Sequence, residues 1–191
     1  MDMRNLRESF GGLGNRMFQL AYLYAQGRKG NIPDIYLQDP SYFEPYGEEL
    51  RRIFGAGIKP IDRISLHVRR GDYINNPFYV DLNETDYYEK AMAEFPGEKF
   101  LVFCADRQNE GVDQSDKEWV MEQYPDFEIW EGEDEVSDFN AMAGCKGHIT
   151  ANSSFSWWAA YVGGGKTVAP NQWYADKNKP GIPCPAEWTL I

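Results

Sequence analysis

From residue 61 onward the chain alternates short apolar runs with helical patterns, and this alternation constrains its fold more than any other feature. Runs at 61–68, 100–104, 127–130, 148–151 and 167–169 have the length of buried strands. Between them, helical spacing appears at about 84–95, 115–124, 136–145 and 154–162. Strands that alternate with helices predict βαβ units around a parallel sheet, because parallel neighbours need a crossover and a helix supplies it. The fold class predicted is α/β, with a Rossmann-type domain over 61–170, a smaller N-terminal α/β portion over 1–60 and a tail over 171–191 that packs back on it. In the first portion Gly11-Gly12-Leu13-Gly14-Asn15 forms a glycine loop. Met17, Phe18, Leu20, Ala21, Tyr24 and Ala25 follow at three- and four-residue steps, which predicts a helix. A short strand is expected at 34–37 and a short helix at 48–54.

A parallel sheet gathers the carboxyl ends of its strands at one edge, and open α/β folds bind ligands there. His67-Val68-Arg69-Arg70-Gly71-Asp72-Tyr73 follows the first long apolar run directly. Arginine is suited to phosphate at such a place, since its planar fork donates parallel hydrogen bonds and keeps its charge. The chain carries a formal net charge of -11, so an Arg-Arg pair stands out from its background. The same acidity argues against nonspecific binding to nucleic acid or a membrane surface, which needs a positive footprint.

Three further groups lie just past strands or at a loop facing them. Asp106 suits the N1 and N2 donors of guanine and equally suits a turn cap. Asn152-Ser153-Ser154-Phe155-Ser156 occupies a strand-to-helix turn, where hydroxyls and free amides favour an anion. The glycine loop, with Gly14 and Asn15, either closes on a ligand or serves close packing. His67 alone reads first as a core histidine. The acids at 131 and 133–135 read as a solvated run rather than a metal cluster. No Asp-x-Asp pair, Cys/His ligand set or phosphate-binding loop motif is present, and with His67 and His148 as the two histidines a Ser-His-Asp hydrolase is disfavoured.

Cys104, Cys145 and Cys184 are odd in number and fit a reducing compartment. The first ten residues lack a signal-peptide core, and no apolar run reaches the roughly 18 to 20 residues of a membrane span. A soluble, cytoplasmic protein is expected.

The segments 11–19, 67–73 and 152–160 resemble, in order, the signatures of the α-1,2-fucosyltransferase family. Asp86-Tyr87-Tyr88, Asp138-Phe139-Asn140-Ala141-Met142 with Cys145, and Val168-Ala169-Pro170 with Trp173 extend the resemblance over almost the whole chain. It implies a GT-B-like, inverting, metal-independent transferase without a cofactor, moving L-fucose from GDP-fucose to the 2-hydroxyl of a galactose-containing glycan. It further implies that Arg69 grips the β-phosphate and that Arg70 and Asp72 fix the loop or reach the sugar. His67 would meet the nucleoside through its backbone, and Asp106 would read guanine. Asn152, Ser153, Ser154 and Ser156 would hold the diphosphate, with Asn15 and Gly14 closing from the N-terminal side. Arg69 and Asp72 are the catalytic candidates, Asp72 as the first choice of base. Arg16 departs from the family's usual Gln, Gly147 reads as an insertion before His148, and the stretch before His67 is short for the family. Another nucleotide-sugar transferase, or a GDP-sugar or glycan-binding module without turnover, is the alternative. Tyr42, Phe43, Tyr46 and Phe54 are candidates for a homodimer contact.

Overall fold

A computed structural model describes residues 11–27, 37–105 and 114–191. Asp106 and most of the strand expected at 34–37 lie outside the described residues. Two helices come first, α1 (Leu13–Ala25) and α2 (Gly47–Phe54). The alternating part runs β1 (Ile61–His67), α3 (Tyr87–Ala93), β2 (Phe100–Phe103), α4 (Asp116–Gln123), β3 (Glu128–Ile129) and α5 (Glu135–Gly144). It continues through β4 (Cys145–Ile149), α6 (Ser154–Gly163), β5 (Lys166–Ala169) and β6 (Thr189–Leu190).

The six strands form one parallel sheet in the order β3-β2-β1-β4-β5-β6. Side chains alternate across each strand, so the two faces bury different sets. Leu101 and Phe103 join α1, α2, α5 and α6 in one cluster; Val102, Ile64, Leu66, Ile149 and Val168 pack with α3 and α4 in the other. The result is a sheet covered by helices on both faces, as buried parallel strands require.

Local chemistry starts the helices where the periodicity predicts. Ser115 and Glu118 form a capping box on α4, Asp134 and Ser137 form one on α5, and Ser153 caps α6. Trp157 and Trp158 are both fully buried in α6 despite being adjacent, because α1, α2 and the tail wrap that helix from several sides. Phe18 lies 5.0 Å from each tryptophan ring, and Phe43 stacks on Trp158 at 5.3 Å. Phe43 is therefore core, and its reading as a dimer contact is corrected; Tyr42 and Tyr46 remain exposed.

Two other expectations change. β4 starts three residues before the predicted 148, because α5 runs into it without a loop; Gly147 lies mid-strand, paired with Ile64 and Lys166. The tail supplies a sheet strand, β6, too short for its periodicity to announce it. Ile191 completes the join, its amide donating to Ala169 and its carbonyl accepting from Asn171. Among the described residues no helix is long and apolar enough to cross a membrane.

Candidate active site

Sheet order reverses between β1 and β4: β2 and β3 extend to one side of this pair, β5 and β6 to the other. Connections leaving neighbouring strands in opposite directions open a crevice at their carboxyl ends, the general ligand site of such sheets. The segments that leave here are 68–73 after β1 and 150–154 after β4. They border a cavity of about 1170 Å³, together with the glycine loop, the ends of β2 and β3, the start of α5 and the tail residues Trp173, Tyr174 and Lys179.

Arg69 lines this cavity, ion-paired with Asp72, with Tyr73's ring 5.3 Å from its guanidinium carbon. Its Nε is buried and has no hydrogen-bond partner. Arg70 is not at the cavity. Its guanidinium lies 4.8 Å over Trp119, and the neighbouring Gly71 amide donates to buried Asp116 at 3.1 Å. Burial pushes the Asp116 carboxyl up, against the downward pull of the Gly71 amide and the Arg70 charge. Gly71 has φ 39, in the left-handed region that favours glycine, and turns the chain just after the two arginines. Of the alternatives for Arg70, fixing the loop is the one its position matches.

Across the crevice, the Ser153 hydroxyl accepts from the Phe155 amide at 3.4 Å, capping α6. Ser154 Oγ donates to Asn15 Oδ1 at 3.1 Å, and Gln38 Nε2 donates to the same oxygen at 2.5 Å. Gly14 seats α1 on this turn: a Cβ there would stand 2.5 Å from the Phe155 nitrogen. Gly14, Asn15, Ser153 and Ser154 all border the cavity. Ser156 does not. It is buried, donating to Ser153 O at 3.3 Å and accepting from the Ala151 amide at 3.2 Å, so it braces the turn from behind. Asn152 borders the cavity, but both bonds of its Nδ2 go to protein, Val80 O at 2.9 Å and Trp173 O at 3.0 Å; its buried Oδ1 has no partner.

His67 also borders the cavity. Its carbonyl accepts from Tyr88 Oη at 3.0 Å, and its Nδ1 is buried without a partner. Burial, helped by the Arg69 charge, lowers its pKa to about 3, so the ring is neutral at ordinary pH. The opposite wall is acidic but engaged. Lys117 pairs with Glu131, Arg16 pairs with Glu135, Asp134 caps α5, and Asp138 accepts from Trp130 Nε1 at 3.0 Å. Among the described residues no three His, Cys, Asp or Glu side chains group to hold a metal ion.

Residues 22–189 match glycosyl transferase family 11. The chain belongs to that family. It is 30% identical to an alpha-1,2-colitosyltransferase of Escherichia coli, over 85% of this chain and 63% of the relative. It is 33% identical to the O-antigen biosynthesis glycosyltransferase WbnK of Escherichia coli, over 60% of this chain and 40% of the relative. It is 30% identical to galactoside alpha-(1,2)-fucosyltransferase 1 of Rattus norvegicus, over 61% of this chain and 32% of the relative. The chain thus spans less than two thirds of the length of these relatives. No solved structure matches it.

Sequence reasoning missed part of this cavity's lining in the family 11 chain. Gln38, Tyr79, Tyr174 and Lys179 border the cavity from segments read as loop or tail. The signal available for them was composition alone, tyrosines in polar stretches, and composition carries no position.

Proposed function

We propose that the chain transfers L-fucose from GDP-fucose to the 2-hydroxyl of a galactose-containing glycan, with inversion and without a metal. The observation that carries this reading is Arg69 at the β1/β4 switch point, with an unpartnered buried Nε, facing the N-terminus of α6. A pyrophosphate between the two meets a guanidinium on one side and helix amides with the Ser153 and Ser154 hydroxyls on the other.

In the reaction the acceptor oxygen attacks fucose C1 and the bond from C1 to the diphosphate oxygen breaks. GDP leaves with that electron pair, and the hydroxyl proton goes to a carboxylate. Arg69 stabilises the charge that develops on the leaving diphosphate. When Arg69 turns to phosphate it gives up Asp72, which frees that carboxylate to take the proton. The guanine is assigned to the side of the cavity bordered by the ends of β2 and β3, and Asp106, outside the described residues, is the residue we assign to reading it.

A second reading has specific support, because the relative matched over 85% of this chain carries colitosyl transfer in its name. Colitose is fucose without the 3-hydroxyl, so the same cradle would serve GDP-colitose. The test is GDP release from each donor with lactose or N-acetyllactosamine, in EDTA, followed by NMR of the product linkage. An α-1,2-fucosyl product formed in EDTA supports the first reading, and turnover with GDP-colitose alone the second. Tight GDP-fucose binding without transfer to any galactoside would leave a binding module.

A further inference from the structure

Two segments border the cavity besides those assigned to the donor. The loop after β1 brings Tyr73 and Tyr79, and the tail after β5 brings Tyr174 and Lys179; all four border the cavity. Tyr73 and Tyr79 stack at 4.1 Å with planes 5° apart. Tyr79 and Tyr174 are 5.5 Å apart and tilted by 32°, so these two rings splay where the first two close. Lys179 Nζ lies 3.9 Å over the Tyr174 ring. The ladder therefore begins at Arg69, over Tyr73, and leads away from it.

The two segments are tied to each other. Tyr79 and Tyr174 form an antiparallel backbone bridge, the Val80 amide donates to Trp173 O at 3.1 Å, and the Ala175 amide donates to Phe78 O at 3.1 Å. Asn152 ties both segments to the turn after β4. Such prior ordering lowers the cost of binding.

We propose that Tyr79, Tyr174 and Lys179 wall the subsite for the acceptor galactoside. The inference rests on the donor reading above, and its logic is one of reach. Arg69 holds the phosphate from which a single donor sugar hangs, so the donor ends near Asp72 and Tyr73. The Tyr79–Tyr174 end borders the cavity next to Tyr73, which makes it the side from which the attacking hydroxyl reaches the donor sugar on this reading. A pyranose presents C–H patches beside hydroxyls, and tyrosine pairs an apolar ring with a polar tip. Lys179 is exposed and has no carboxylate partner among the described residues, unlike Arg69 and Lys117 in the same cavity. Its ammonium is available to sugar hydroxyls while its stem stays on the ring.

Saturation-transfer NMR of lactose with the whole chain, in the presence of GDP, tests this without turnover. Wild type should transfer saturation to the galactose protons. Tyr174→Ala and Lys179→Ala should each weaken lactose binding, Tyr174→Ala by about tenfold. Tyr174→Phe should restore most of the loss, and GDP affinity by calorimetry should stay at the wild-type value in all three. No lactose signal from wild type, unchanged lactose binding in both alanine variants, or a parallel loss of GDP affinity would each overturn the proposal. Failure of GDP-fucose as a donor, with lactose binding intact, would count against the donor reading alone.

Discussion

Gly14 and Phe155 touch through their backbones: a Cβ on Gly14 would lie 2.5 Å from the Phe155 nitrogen and 2.5 Å from the Ser154 carbonyl carbon. These atoms belong to the first turn of α6 and cannot give way as a side-chain tip would. Gly14→Ala should therefore push α1 off the turn, costing on the order of 3 kcal/mol, the upper range for overpacking. Denaturant unfolding measures that cost. GDP titration should show weakened binding, because Asn15 and Ser154 separate with the helices.

Arg69→Ala should lower turnover by about a hundredfold to a thousandfold, the usual loss when one group that stabilises a leaving anion is removed. Arg69→Lys should recover only part of it, since an ammonium lacks the planar fork. A variant Arg69→Ala with wild-type kcat would remove Arg69 from the leaving-group role.

Asp72→Asn separates two roles that the Arg69–Asp72 ion pair joins. Loss of the carboxylate releases Arg69 toward the donor, so GDP affinity should hold or rise. Turnover should fall by about a hundredfold or more if Asp72 takes the acceptor proton. Full turnover by this variant assigns the proton elsewhere.

Asn152→Asp should destabilise the protein by about 3 kcal/mol or more. It replaces a donor to Val80 O and Trp173 O with a buried carboxylate facing two carbonyls. Unfolding midpoints in denaturant provide the comparison. Asn152→Ala removes the donor to Val80 O, leaves Trp173 O its bond from the Val80 amide and adds no charge, so it should cost less.

Stability should fall on mild acidification. Burial holds His67 at a pKa of about 3 and His148 at about 4, both below the usual 6.5. Below pH 6.5 the unfolded chain takes up protons that the folded chain refuses. Each histidine then removes up to about 1.4 kcal/mol per pH unit as pH drops toward its folded value. His148, with Ser65 Oγ at 2.8 Å from Nδ1, is the cleaner probe because it is away from the cavity. Unfolding followed from pH 7 to pH 5 should show a shallower slope for His148→Gln than for wild type; equal slopes would exclude its contribution.

Much of the architecture was legible because it is written in local patterns. Apolar runs marked five strands, and Ser115, Asp134 and Ser153 cap helices within a residue or two of where the periodicity starts them. β6 was not legible, because two residues carry no period and their pairing partner lies some twenty residues back in the chain. Phe43 looked like surface in a polar stretch and proved to be core, since burial depends on what α6 places beside it.

The site divides along the same line. By itself the sequence determined that arginine follows the first strand of a parallel sheet and that a serine-rich turn follows a later one, since strand ends and helix caps are local chemistry. Only the tertiary structure decided that β1 and β4 are neighbours at the switch point, that Arg69 faces the cavity while Arg70 lies on Trp119, and that Tyr79 meets Tyr174. Those outcomes depend on strand order, on where α4 sets Trp119, and on contacts between segments far apart in the chain. No local pattern encodes them, because the free energy that selects them comes from packing the whole chain at once.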